Sequence, residues 1–139
     1  MYIPASPYVL SHCILDKEHA RVHLEDVEYL QSRKFLTYLF DGWEDSLRRS
    51  LYGSVAAEVK QFPIILSLDN MTGKRGNVPT LVEMMEKATN SMDIGDMRNF
   101  VAVTTDNPTT MQAYRCKLQE KYWWLLVNCF EVCQGLRNC

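Results

Sequence analysis

The run Asn99-Phe100-Val101-Ala102-Val103-Thr104-Thr105-Asp106-Asn107-Pro108-Thr109-Thr110-Met111 decides the fold. Its first half is apolar and β-branched, the composition of a buried strand. It stops at Asp106 and a helix start follows at once. Asn107 is a good N-cap, and Pro108 at the first helical position gives up no hydrogen bond. Strand, acid and helix in that order put a carboxylate at the C-terminal end of a strand, where ligands and metals bind in open α/β sheets. A second strand-like run, Leu36-Thr37-Tyr38-Leu39-Phe40, ends the same way at Asp41.

Working outward, residues 1–10 read as an extended lead-in. The spacing of Ala20, Leu24, Val27 and Leu30 predicts a helix from Ser11, its N-cap, to about Ser32, with Glu18, Arg21, Glu25 and Glu28 on a solvated face. Arg33–Trp43, Leu51–Val59 and Phe62–Leu68 read as three strands with short connections, an antiparallel meander. After the turn Gly73-Lys74-Arg75-Gly76, Asn77 caps a helix. Its apolar positions Leu81, Met85, Ala88 and Met92 recur at helical spacing, and it ends near Ile94-Gly95. Phe100–Thr105 is the fourth strand. The helix after Pro108 carries Met111, Tyr114 and Leu118 on one face, and Trp123–Val127 is a short fifth strand.

The order α, βββ, α, β, α, β predicts an α/β fold with a mixed sheet, three antiparallel strands and then two parallel ones. Where the fourth strand lies beside the first and parallel to it, Asp41 and Asp106 end neighbouring strands ~4.8 Å apart. Carboxylates so placed bridge metal ions about 3.5–4 Å apart. Periodicity alone does not set that strand order.

Composition narrows the function classes. The 139 residues match one domain, and 47% hydrophobic with 23% charged residues is ordinary for a globular chain. A net charge of −2 gives no overall field for nucleic acid, so a DNA contact needs a local basic patch. No apolar run reaches the ~20 residues of a membrane span. The start Met1-Tyr2-Ile3-Pro4 lacks the charged and apolar regions of a signal peptide. Five cysteines, Cys13, Cys116, Cys129, Cys133 and Cys139, are too sparse for a disulfide scaffold and predict a reducing, intracellular setting.

Phe40-Asp41-Gly42-Trp43, followed some way on by Val103-Thr104-Thr105-Asp106-Asn107 and an amphipathic helix, resembles the ribonuclease-H-like core of hAT-superfamily transposases. The resemblance is to the transposase-associated domain-of-unknown-function family of plants and fungi, and it runs from about Tyr2 to Phe130. It implies a ribonuclease-H-like mixed sheet, incomplete at the C-terminus, over residues 35–139, joined to an N-terminal lead-in and helix over 1–34. It implies that Asp41 and Asp106 are the first two acids of a metal-binding Asp-Asp-Glu triad. The implied chemistry is Mg²⁺- or Mn²⁺-dependent cleavage and joining of DNA strands, in which two metals activate a hydroxyl and stabilise the leaving oxygen. It also implies a nuclear location and DNA as the family's partner. The third acid of the pattern lies far downstream, and Glu131 does not occupy its place. The acid pair therefore reads as vestigial, with no independent nuclease activity. The alternatives are a domesticated protein-interaction module, self-associating through an incomplete sheet, or a nuclease completed in trans.

Other residues have plainer readings beside their functional ones. Arg48, Arg49, Lys74 and Arg75 lie in two loops that could touch DNA phosphates, although loop cations are commonly just solvated. Asp69 ends the third strand, but Asp-Asn also starts turns. Cys129, Cys133 and Cys139 lack the partners of a zinc site. His12, His19 and His23 read as surface residues of the first helix. Trp43 reads as packed beside the sheet, and one of Trp123 and Trp124 must face away from it.

Overall fold

The computed structural model describes residues 6–74, 76–106 and 109–127. The expected cap and helix start at Asn107 and Pro108 lie outside them, as do Arg75, Glu131, Cys129, Cys133 and Cys139.

A helical segment opens the described chain: a turn α1 (Pro7–Val9), a π-helical turn (Leu10–Ile14) and α2 (Leu15–Ser32). It begins before the predicted Ser11. Ser6 is the cap, its hydroxyl accepting from Val9 N at 3.3 Å, and Pro7 fills the first turn. Most of this segment stands in solvent, and only Val27 and Leu30 near its end are buried. The end is clamped by Asn99, whose side-chain nitrogen donates to Leu30 O (2.8 Å) and Arg33 O (2.7 Å).

The sheet contains β1 (Leu36–Glu44), β2 (Ser50–Ala57), β3 (Ile64–Asn70), β4 (Phe100–Thr105) and β5 (Leu126–Val127). Their order in space is β3-β2-β1-β4-β5. β1, β2 and β3 are antiparallel, while β4 pairs parallel with β1 and β5 parallel with β4. The chain is thus α/β with one mixed five-stranded sheet. Helices α3 (Val78–Asn90) and α4 (Thr109–Lys121) complete it.

Several strand ends differ from the pattern in sequence. β1 starts at Leu36 rather than Arg33, because Phe35 adopts a left-handed φ of 67° and breaks the run. β2 stops at Ala57, where Gln61 N bonds back to Glu58 O and Lys60 takes φ 63°, leaving Val59 exposed. Phe62, 95% exposed, stays outside β3, while Asp69 and Asn70 lie inside it, opposite Tyr52 and Leu51. α3 starts as expected at Asn77, whose Oδ1 accepts from Thr80 N at 3.0 Å, but ends at Asn90. Met92 and Ile94 still reach the core from the turns that follow. Only Leu126 and Val127 of the predicted fifth strand pair with β4.

Register divides the sheet into two faces. Leu36, Tyr38 and Phe40 share one with Ser54, Ala56, Phe100 and Val103, all buried. The Phe40 ring lies 5.5 Å from that of Tyr114 on α4, and Met111 and Leu118 join the same core. On the other face stand Leu39, Asp41 and Trp43, with Leu51, Gly53 and Val55 opposite them. Ile65 and Leu68 are 71% and 62% exposed.

Candidate metal centre

The C-terminal ends of β1 and β4 set the geometry. Phe40 pairs with Thr105 across the parallel ladder. Both face the core side, so the next residue of each strand, Asp41 and Asp106, emerges on the opposite side by strand alternation. Both acids are exposed. One oxygen of Asp41, Oδ1, accepts from Gly42 N at 2.9 Å. Partial burial, and then the negative charge of Asp41, push the Asp106 carboxyl above its ordinary range, while Arg115 pulls it back. The like charge of Asp41 acting on Asp106 places the two carboxylates near one another.

Arg115 was not singled out in the sequence. It is 7% exposed on α4, and its Nη1 donates to Thr105 Oγ1 at 2.7 Å and to Asp106 O at 2.9 Å. Thr105 Oγ1 in turn donates to the same Asp106 carbonyl at 2.8 Å. A guanidinium, one chain oxygen and a hydroxyl therefore tie the end of β4 to α4. The signal was present: Arg115 sits four residues after Met111 and three before Leu118, on the buried stripe of the helix. An arginine on such a stripe needs a partner inside.

The remaining candidates do not converge on the pair in the same way. Asp69 lies on the covered face, as its register with Tyr52 and Gly42 requires, and its carboxylate is 3.9 Å from Lys87 Nζ. Arg49 is held by Asp45 of its own hairpin, with Nη2 to Oδ2 at 2.6 Å, so little of its charge is left for a phosphate. Arg48 is exposed at the same turn with φ 57°, and Lys74 is exposed after β3. The two loops do meet: Met71 N donates to Ser50 O at 2.8 Å, and Ser50 N to Thr72 Oγ1 at 3.1 Å. Because β1 and β3 run the same way, both loops sit at the sheet end that carries Asp41.

Trp43, 45% exposed, shares the open face with Asp41 and lays its ring over Gly53, where a Cβ would come within 3.2 Å. His12, His19 and His23 are on the helical segment; His12 stacks on Tyr8, and the rings of His19 and His23 lie parallel, 6.2 Å apart. Cys13 and Cys116 are free and exposed. Trp123 is 81% exposed, in the turn before β5 rather than in the strand.

No family model matches the chain, and no curated protein matches its sequence. Among the described residues no helix is long and apolar enough to cross a membrane.

The donor set bears on which metal could fit. Carboxylate oxygens suit hard divalent cations such as Mg²⁺ and Mn²⁺. Among the described residues no group of three or more His, Cys, Asp or Glu side chains gathers at one point. Asp41 and Asp106 are the two carboxylates that could take part in holding such a cation.

Proposed function

We propose that this chain is a transposase-derived ribonuclease-H-like domain. Its acid pair descends from a metal-dependent DNA strand-cleaving centre, and the domain cleaves no DNA by itself. The observation that carries the reading is the emergence of Asp41 and Asp106 on one face, from adjacent parallel strands. The strand order β3-β2-β1-β4-β5, with its single antiparallel-to-parallel change at β1, supports it further. In this reading Asp41 and Asp106 hold Mg²⁺ or Mn²⁺, and the cation supplies charge neutralisation at a phosphate and acidifies water. The chain itself contributes the spacing of the two ligands and the fixed junction behind Asp106. Arg48 and Lys74, at the same end of the sheet, face an approaching DNA backbone.

Among the described residues no third carboxylate joins the pair, and on this reading that is why the domain would not cleave DNA by itself. Two carboxylates place a cation but leave its water and leaving group poorly oriented, and a small misplacement costs orders of magnitude in rate. The test is a Mg²⁺- and Mn²⁺-dependent nicking assay on supercoiled and single-stranded DNA, with Asp41→Ala and Asp106→Ala as controls. No cleavage by any of the three proteins is expected. Cleavage by the wild type that both substitutions abolish would overturn the inactive reading.

A second reading, self-association with another copy of this chain, is favoured by the open sheet face. Ile65 and Leu68 on β3 and Leu126 on β5 stand more than half exposed on the sheet face that also carries the partly exposed Trp43. Light scattering across a concentration series decides it. A mass that stays at one chain up to high concentration would sink the idea.

A further inference from the structure

The junction behind Asp106 carries more than a fold requires. Buried arginines are rare unless paired, because taking a guanidinium out of water is costly. Arg115 spends its Nη1 on Thr105 Oγ1 and on the carbonyl of Asp106, both at the end of β4. An apolar residue at this place in the stripe of Met111, Tyr114 and Leu118 would pack against the sheet without that cost. The guanidinium reaches across from α4 and, through one nitrogen, holds the Thr105 hydroxyl and the Asp106 carbonyl together at the end of β4.

We infer that Arg115 is a positioning residue for the acid pair: through Thr105 and the Asp106 carbonyl it sets where the Asp106 carboxylate stands relative to Asp41. The inference rests on the reading of that pair as a divalent-cation site and deepens it. The carbonyl that Arg115 holds belongs to Asp106 itself, the residue that follows Thr105, the register partner of Phe40. Rotation of the Asp106 backbone as a whole would move this carbonyl and the side chain together, shifting the carboxylate relative to Asp41. Two independent bonds to the same carbonyl, from Arg115 Nη1 at 2.9 Å and Thr105 Oγ1 at 2.8 Å, oppose that rotation. Groups that orient a metal ligand in this way typically govern 10- to 100-fold of metal affinity.

The experiment uses Mn²⁺ alone as the probe, its binding to the full chain followed by electron paramagnetic resonance and water-proton relaxation, with thermal unfolding run on each protein. Arg115→Lys keeps the charge and removes the planar guanidinium that holds both oxygens. Thr105→Val keeps the strand-favouring shape and removes the hydroxyl, and Thr105→Ser restores the hydroxyl on a weaker strand former. The expected result is Mn²⁺ affinity lowered roughly 10- to 100-fold in Arg115→Lys and several-fold in Thr105→Val, but retained in Thr105→Ser. A purely structural role would make affinity follow melting temperature instead, and Thr105→Ser would then fall with the rest. If Asp106→Asn abolishes Mn²⁺ binding while Arg115→Lys and Thr105→Val bind as the wild type does, the assignment of Arg115 is wrong and the acid pair stands. If Mn²⁺ binding by the wild type is absent, or indifferent to Asp106→Asn, the reading of the pair falls and Arg115 with it. Should Arg115→Lys fail to fold, the contrast between Thr105→Val and Thr105→Ser decides alone.

Discussion

Phe40 and Thr105 are register partners across the parallel strands β1 and β4: Phe40 is buried in the core, and half-buried Thr105 meets Arg115 of α4 on the same side. That single pairing places Asp41 and Asp106, which share no local sequence, at one edge and on one face of the sheet. A slip of one residue would turn one of the acids into the core. The buried aromatic set around Phe40, with Tyr52 and Tyr114 rings each 5.5 Å away, opposes such a slip.

The first prediction concerns pH. The Asp106 carboxyl is raised by partial burial and by Asp41, so it binds its proton more tightly in the folded chain than in the unfolded one. Its favourable contribution is therefore fully present below the ordinary Asp pKa of about 3.9 and is lost as pH rises through the folded value. At neutral pH the ionised Asp106 works against folding. Asp106→Asn should melt higher than the wild type at pH 7, and the gap should shrink as pH falls toward 3.5. Asp41→Asn should recover part of the same gain. Thermal scans of the three proteins between pH 3.5 and 8 check this, and equal melting temperatures at pH 7 would count against it.

A second prediction follows for divalent ions. A cation between the carboxylates turns their repulsion into attraction, and ligand binding to the folded state alone raises stability by mass action. Millimolar Mg²⁺ or Mn²⁺ should raise the wild-type melting temperature, with a smaller effect in Asp41→Asn or Asp106→Asn. Equal concentrations of a monovalent salt at matched ionic strength are the control.

Much of this arrangement was legible in the sequence. The fourth strand matched residue for residue, Phe100–Thr105, because a β-branched run is bounded there by a turn-forming Asn99 and a helix start. The Asn77 cap was equally readable, since capping is local chemistry. Strand ends set by tertiary pairing were not. Asp69-Asn70 has turn chemistry, yet its pairing with Tyr52 and Leu51 keeps it in β3. Trp123-Trp124-Leu125 has strand composition, but the turn closed by Leu125 N to Tyr122 O leaves only two residues to pair. The candidate acids were visible because they end apolar runs. Arg115 stayed hidden because its partners, Thr105 and the Asp106 carbonyl, become neighbours only when α4 folds back onto β4.

The Asn99 clamp gives a third prediction. Its amide donates to Arg33 O and also to Leu30 O, which additionally accepts from the C-cap Arg33 N at 3.2 Å. Asn99→Ala should cost about 1–3 kcal/mol, since it takes the side-chain donor from the half-buried Arg33 carbonyl and weakens the bonding of Leu30 O. Hydrogen exchange should accelerate first in the last turn of α2. A loss spread evenly over the sheet would show that the clamp is not local.

The buried pair Tyr38 and Ser54 supplies a fourth. Their hydroxyls are 2.7 Å apart beneath the helices, and burial pushes the Tyr38 phenol well above its ordinary pKa, so it stays protonated and able to donate. Tyr38→Phe leaves the Ser54 hydroxyl without this partner, and Ser54→Ala does the same to Tyr38. Each should cost about 1–3 kcal/mol, whereas the double variant should cost less than their sum. Additive losses in urea unfolding would mean that the two hydroxyls find other partners.

The residue after the first acid is glycine for a reason that unfolding can measure. Gly42 faces the covered side, where a Cβ would stand 2.6 Å from Tyr52 Cε1 and 2.9 Å from its Cζ. Tyr52 cannot swing freely aside: its ring is packed against Phe40, and its hydroxyl lies 2.9 Å from where a Cβ on Gly76 would be. Gly42→Ala must therefore displace either the ring or the β1 edge that carries Asp41. Overpacking of this kind costs about 1–3 kcal/mol. Tyr52→Leu loses aromatic packing on its own but opens the space that the new methyl needs. Gly42→Ala should consequently cost less in the Tyr52→Leu background than in the wild type, a coupling of about 0.5–3 kcal/mol. Tyr52→Phe should bring no such relief, because the clash is with ring carbons rather than the hydroxyl. If Gly42→Ala costs the same in all three backgrounds, the ring is not what excludes a side chain beside Asp41.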